Sequence, residues 1–92
     1  MIAAFVLIQT EIGRVAEVGK ALRDAPGVES ADEVTGPYDI IAKVHASDLL
    51  TLGRSVTGAI QKIPGVTRTL TCPTTRHLNL PEDPSPHREN DL

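Results

Sequence analysis

The stretch Val34-Thr35-Gly36-Pro37-Tyr38-Asp39-Ile40-Ile41 decides how the chain is read. Gly36 tolerates positive φ, and Pro37 fixes its own φ without offering a backbone donor, so the pair signals a turn. β-forming runs flank it. The spacing predicts a tight hairpin that joins a strand over 28–35 to a strand over 38–46. Asp39 stands just past the turn beside Tyr38, the only tyrosine. Both are also ordinary turn and strand residues, so this pairing hints at chemistry without establishing it.

Working outward, Pro26-Gly27-Val28 precedes the hairpin and Pro64-Gly65-Val66 follows it, 38 positions later (64 − 26). At the same offset Thr10 matches Asp48, Ile12 matches Leu50, and Leu22 matches Ile60. The chain therefore reads as two βαβ halves joined at Gly36-Pro37. Ile2 to Ile8 is an unbroken apolar run, which suits a strand buried on both faces. Thr10 is the expected N-cap of a first helix running to Arg23. Its expected apolar stripe is Ile12, Val15, Ala16, Gly19 and Leu22, with Glu11, Arg14, Glu17, Lys20 and Arg23 opposite. Gly19, on the buried stripe, predicts close approach to the sheet. Ser47 or Asp48 is expected to cap a second helix, with stripe Leu49, Leu52, Gly53, Val56, Ile60 and Ile63. A Thr-rich strand over 66–78 closes the pattern, and Pro73 demotes it to an edge or marks a bulge.

The order βαββαβ predicts an α+β, ferredoxin-like sandwich, an antiparallel four-stranded sheet in the order 4-1-3-2. Right-handed crossovers put both helices on one face. The first strand then offers Ile2, Ala4, Val6 and Ile8 to one side and Ala3, Phe5 and Leu7 to the other. A bare Phe/Leu face is too adhesive for a lone soluble particle. Burying such side chains is worth about 1.5–3 kcal/mol each. The expectation is a homodimer packed sheet against sheet, a dimeric α+β barrel.

Length and composition bound the rest. Ninety-two residues with 40% apolar content make one small domain, expected over 1–80. Residues 81–91 contain three prolines and no apolar residue, so 81–92 reads as a disordered C-terminal tail. The net charge of −3, with no basic run and no helix-turn-helix pattern, argues against direct nucleic-acid binding. The apolar run at the N-terminus is too short to span a membrane. Cys72 is the only cysteine, which excludes an intrachain disulfide and fits a reducing, cytoplasmic setting. His45, His77 and His87 have no partner at metal-ligand spacing, and no phosphate-binding or nucleophile motif is present. No metal, no cofactor and no catalytic residue is expected.

What remains is polar groups at the sheet rim. Asp39 and backbone carbonyls could take an ammonium, while the amides at the helix start that Ser47 and Asp48 open, with the hydroxyls of Thr71 and Thr74, could take a carboxylate. A rival reading uses the row Asp39, Ile41, Lys43 and His45, which alternation puts on one face. That row would suit a small dimeric ferredoxin-like barrel enzyme, a cofactor-free oxygenase or an isomerase.

Three segments together resemble one family: Pro26-Gly27-Val28, Val34-Thr35-Gly36-Pro37-Tyr38-Asp39-Ile40, and Ile63-Pro64-Gly65-Val66-Thr67-Arg68-Thr69-Leu70-Thr71. They are similar to the effector-binding (RAM) domain of the Lrp/AsnC regulators, from Ile2 to about Leu78. The resemblance implies a non-enzymatic module of transcriptional regulation. It implies sheet-to-sheet dimers that assemble into rings such as octamers or decamers. An amino acid or related metabolite would bind where dimers meet, at Gly36, Tyr38, Asp39, Leu49, Thr71 and Thr74. Because Met1 opens the first strand, the expectation is a stand-alone form without the DNA-binding winged helix. It would act indirectly, with full-length Lrp/AsnC-type regulators as further partners. Pro73 stands where the family has an apolar β-branched residue.

Overall fold

In the computed structural model, which describes residues 1–74, the apolar run becomes β1 (Ile2–Thr10). It is followed by α1 (Val15–Arg23), β2 (Val28–Glu33) and β3 (Ile40–Ala46). A helical run over 49–61, here called α2, and β4 (Val66–Pro73) complete the order. The sheet order is β2-β3-β1-β4, antiparallel throughout, so the most apolar strands are central. This is the ferredoxin-like sandwich. The expected end of the last strand and the tail over 81–92 lie outside the described residues.

Both helices pack on one face. Val18 and Leu22 of α1 and Leu52, Val56 and Ile60 of α2 join Ala4, Val6, Ile8, Ile40, Ala42 and Val44 in one buried cluster. The two halves repeat at a finer grain than the Pro-Gly pairs. A Cβ on Gly27 would lie 2.8 Å from Val56 Cγ2, and one on Gly65 would lie 2.9 Å from Val18 Cγ2. Glycine to valine, each half closes against the other half's helix at the matching position. Both glycines also hold positive φ, 82° and 99°, which side-chain-bearing residues rarely adopt.

Several local expectations are corrected. The hairpin is present, but its loop is 34–39 rather than two residues, and Tyr38 and Asp39 sit in that loop. Thr10 ends β1 and caps nothing. The helix starts at Val15 after a turn over 11–14, with no side-chain cap, and Arg14 is instead paired to Glu11 at 2.9 Å and Glu17 at 2.8 Å. Hydrogen bonds and charge from Arg14 hold the Glu17 carboxyl below its ordinary value. Ile12 consequently points into solvent, and the buried positions are Val18, Gly19 and Leu22, with Ala16 exposed. Gly19 does not approach a strand. The space a Cβ would fill adjoins the Arg23 guanidinium at 3.4 Å, and Arg23 Nε donates to the Ala31 carbonyl at 3.3 Å.

α2 holds the other departure. Its middle, Leu52–Thr57, is π-helical between the α-helical turns Leu49–Thr51 and Gly58–Gln61. Thr57 Oγ1 donates to the carbonyls of Leu52 and Gly53, at 3.1 and 2.9 Å, and so occupies acceptors that the wider turn loosens. The register slips, so Leu52, Val56, Thr57 and Ile60 face inward while Leu49 and Gly53 are exposed.

Pro73 is on an edge strand, as expected. The irregularity between β1 and β4 falls between Gln9 and Thr10 instead.

Candidate functional site

The 34–39 loop is fixed by its neighbours. Val34 N donates to Asp39 O and Asp39 N donates to Ile8 O, both at 2.9 Å. Gln9 Nε2 donates to Pro37 O at 2.8 Å. Asp39 Oδ2 accepts from Thr10 N at 2.8 Å and from Thr10 Oγ1 at 3.4 Å. Asp39 thus splices the loop to the end of β1, and one of its carboxylate oxygens is already engaged. Gly36, Tyr38 and Asp39 share this end of the sheet.

The other predicted residues do not. Asp48 caps α2, accepting from Thr51 N at 2.7 Å, and that bond holds its carboxyl below the usual range. Leu49 follows it, 59% exposed, with Leu50 64% exposed and Met1 68% exposed. Thr74 donates to the Ala3 carbonyl from its amide at 3.0 Å and from Oγ1 at 3.1 Å. Ala3 pairs with His45, so Thr74 belongs to the Leu49 end. The length of β3 separates this end from Asp39, about 20 Å at the usual rise per residue. Thr71 lies between them, opposite Val6, and therefore on the helix-covered side. One chain gathers Gly36, Tyr38 and Asp39 at one end, and Leu49 and Thr74 at the other.

The sheet face without helices has its own order. Cross-strand rows run Cys72, Phe5, Lys43 and Leu70, Leu7, Ile41. Phe5 is 42% and Leu70 48% exposed. Of the rival row Asp39, Ile41, Lys43 and His45, the last three lie on this face, whereas Asp39 sits in the 34–39 loop before β3 begins. There Glu29 approaches Lys43 at 3.4 Å and His45 at 4.0 Å. Sequence reasoning missed Glu29 as a partner. The signal was obscured by the irregularity between Val28 and Ser30, which lets an edge-strand side chain reach the same face as Ser30.

Among the described residues there is no cluster of His, Cys, Asp and Glu able to hold a metal, and no helix is long and apolar enough to cross a membrane. A shallow groove of about 220 Å³ is lined by Gln61, Val66, Thr67, Arg68 and Thr69, and none of the predicted site residues lines it.

Comparison with known proteins adds three findings. The model of a family described as the Lrp/AsnC ligand binding domain matches residues 3–79. A search of curated proteins finds no match. Among solved structures, TTHA0845 from Thermus thermophilus is 40% identical with a TM-score of 0.78, over 89% of this chain and 100% of that one. FFRP-DM1 is 36% identical with a TM-score of 0.76, over 80% of this chain and 99% of that one. The transcriptional regulator NMB0573 from Neisseria meningitidis, solved as an L-Met complex, is similar in fold. It is 18% identical with a TM-score of 0.72, over 86% of this chain and 53% of that one.

Proposed function

Since the chain belongs to the Lrp/AsnC ligand-binding domain family, we propose that it is a non-enzymatic effector-binding and assembly module. It binds an amino acid or related metabolite at an interface between copies and acts on transcription indirectly, through what it assembles with. The observation that carries this reading is the split of the site residues. Tyr38 and Asp39 lie about 20 Å from Leu49 and Thr74 along β3, so only two different chains could bring them around one ligand. The open Phe5/Leu7/Leu70 face supports pairing sheet to sheet, and the exposed Met1, Leu49 and Leu50 at one end supply apolar surface for dimers to meet. A fold relative solved with L-methionine supports the ligand class.

A second reading, a small barrel enzyme, has one observation in its favour. Glu29, Lys43 and His45 place a carboxylate, an ammonium and an imidazole together on the open face, and such groups can move a proton. Membership in a family of regulator domains weighs toward the first.

A thermal-shift panel of the twenty amino acids tests the proposal. A ligand at 100-fold its Kd adds about 2.7 kcal/mol, which is readily seen. The Asp39→Asn variant keeps an oxygen for the Thr10 amide but loses the charge. It should lose the shift while keeping the wild-type mass. No shift with any amino acid, in protein that still assembles, would leave assembly as the sole function.

A further inference from the structure

The two edges of the sheet are treated differently. His45 N donates to Gly27 O, so the odd-numbered residues of β3 turn their main chain toward β2, and their partners Ser30 and Asp32 turn theirs back. Ala31, between those partners, points its main chain outward, and Arg23 Nε occupies its carbonyl at 3.3 Å. The exposed carboxylates of Glu29, Asp32 and Glu33 and the irregularity between Val28 and Ser30 shield this edge further.

The β4 edge has no such shield among the described residues. Thr74 N donates to Ala3 O at 3.0 Å, and this bond sets the phase of the ladder. Cys72, Leu70 and Arg68 turn their main chain toward β1, while Thr71 and Thr69 present theirs outward. Pro73 shares the outward phase and has no donor, so the open ladder ends there.

Side chains on both sides of this edge define what would fit it. Thr69 opposes the buried Ile8, so it lies on the helix side, where its Oγ1 accepts from Gln61 Nε2 at 3.2 Å. The groove of about 220 Å³ between Gln61 and the start of β4 runs beside it. Leu70 opposes Leu7 and Arg68 opposes Gln9, so both stand on the open face, one pleat repeat or about 7 Å apart. Both are exposed, and Arg68 makes no ion pair or hydrogen bond among the described residues.

We infer that the β4 edge is a docking strand for an extended acidic segment of another protein. The segment adds to the sheet through the main chain of Thr69 and Thr71, as a further strand. It sets an apolar side chain beside Leu70 and, two positions on, a carboxylate beside Arg68. The residue between these two turns toward the groove, whose Gln61 and threonines suit a small hydroxyl side chain. Charge complementarity selects this occupant over a second copy. β4 itself has no acidic residue to answer Arg68, and β2, which has three, is closed by Arg23. The inference does not rest on the amino-acid reading above.

Fluorescence anisotropy of the labelled, blocked peptide STLTETS with the whole protein tests this, with STLTQTS and STLTKTS as companions. Wild type should bind STLTETS with a Kd below about 1 mM and STLTKTS about 10-fold more weakly. Thr71→Pro deletes an outward donor, a change that an edge strand accepts where the N–H faces solvent. It should weaken all three peptides about 10-fold or more. Arg68→Gln should weaken STLTETS about 3-fold and leave STLTQTS unchanged. No binding of STLTETS to wild type, or binding that folded Thr71→Pro retains, overturns the inference. STLTKTS bound as tightly as STLTETS overturns the acidic class. A fall in solution mass on Thr71→Pro also overturns the inference, because a second copy would then hold the edge. Should Thr71→Pro not fold, hydrogen exchange of the Thr69 and Thr71 amides in wild type decides. Slower exchange with STLTETS is expected, and unchanged exchange overturns the inference.

Discussion

Ile8 and Leu7 are neighbours in β1, and the fold treats them in opposite ways. Ile8, with Val6 and Ala4, is wholly buried beneath the helices. Leu7 and Phe5 look out from the bare side of the same strand, Phe5 42% exposed. The two faces are equally greasy in sequence, yet only one is needed to make the domain. One face encodes folding. The other has no role within a single chain, so its apolar content is an argument for assembly.

The largest expected effect that sharpens this contrast comes from truncation on the covered side. Ile8→Ala leaves a cavity in the buried cluster beside its cross-strand partner Ile40 and should cost about 2–5 kcal/mol in urea unfolding. Leu7→Ala, measured at concentrations where the protein is dissociated, should cost well under half of that. Equal losses would mean that the faces are not distinct.

A smaller effect is expected at Asp48, which serves the covered face by fixing the start of α2. Asp48→Ala removes the acceptor for the Thr51 amide and should cost about 1 kcal/mol at neutral pH. The cap lowers the Asp48 pKa, so its contribution is present above the ordinary carboxyl value and is lost as pH falls through the lowered one. The gap between wild type and variant should therefore close in acid. A gap independent of pH would mean that the carboxylate is not the capping group.

The contrast also explains what could be read in advance. Strand order and the central place of β1 and β3 followed from the apolar run and the repeated Pro-Gly pairs, because burial in the covered core imposes both. The repeat is visible down to Val18 and Val56, each held against the other half's glycine. Details set by local polar contacts were not legible. Thr10 looked like a cap but gives its amide to Asp39, and the helix start moved to Val15. Nothing in Leu52–Thr57 announces a π turn, which depends on Thr57 reaching back to two carbonyls. The candidate site residues were proposed by type, and the fold does not bring them to one place in the chain. Asp39 and Leu49 are close in sequence, but a whole strand separates them in space.

The most direct measurement is the mass of the protein in solution by light scattering, for wild type and Leu7→Glu. A charge at the centre of the open face should break a sheet-to-sheet dimer without unfolding the chain. The expected result is an even multiple of the 9.8 kDa chain for wild type and a smaller, folded particle for the variant. A folded wild-type particle of 9.8 kDa at micromolar concentration, or an assembly indifferent to Leu7→Glu, would contradict the account.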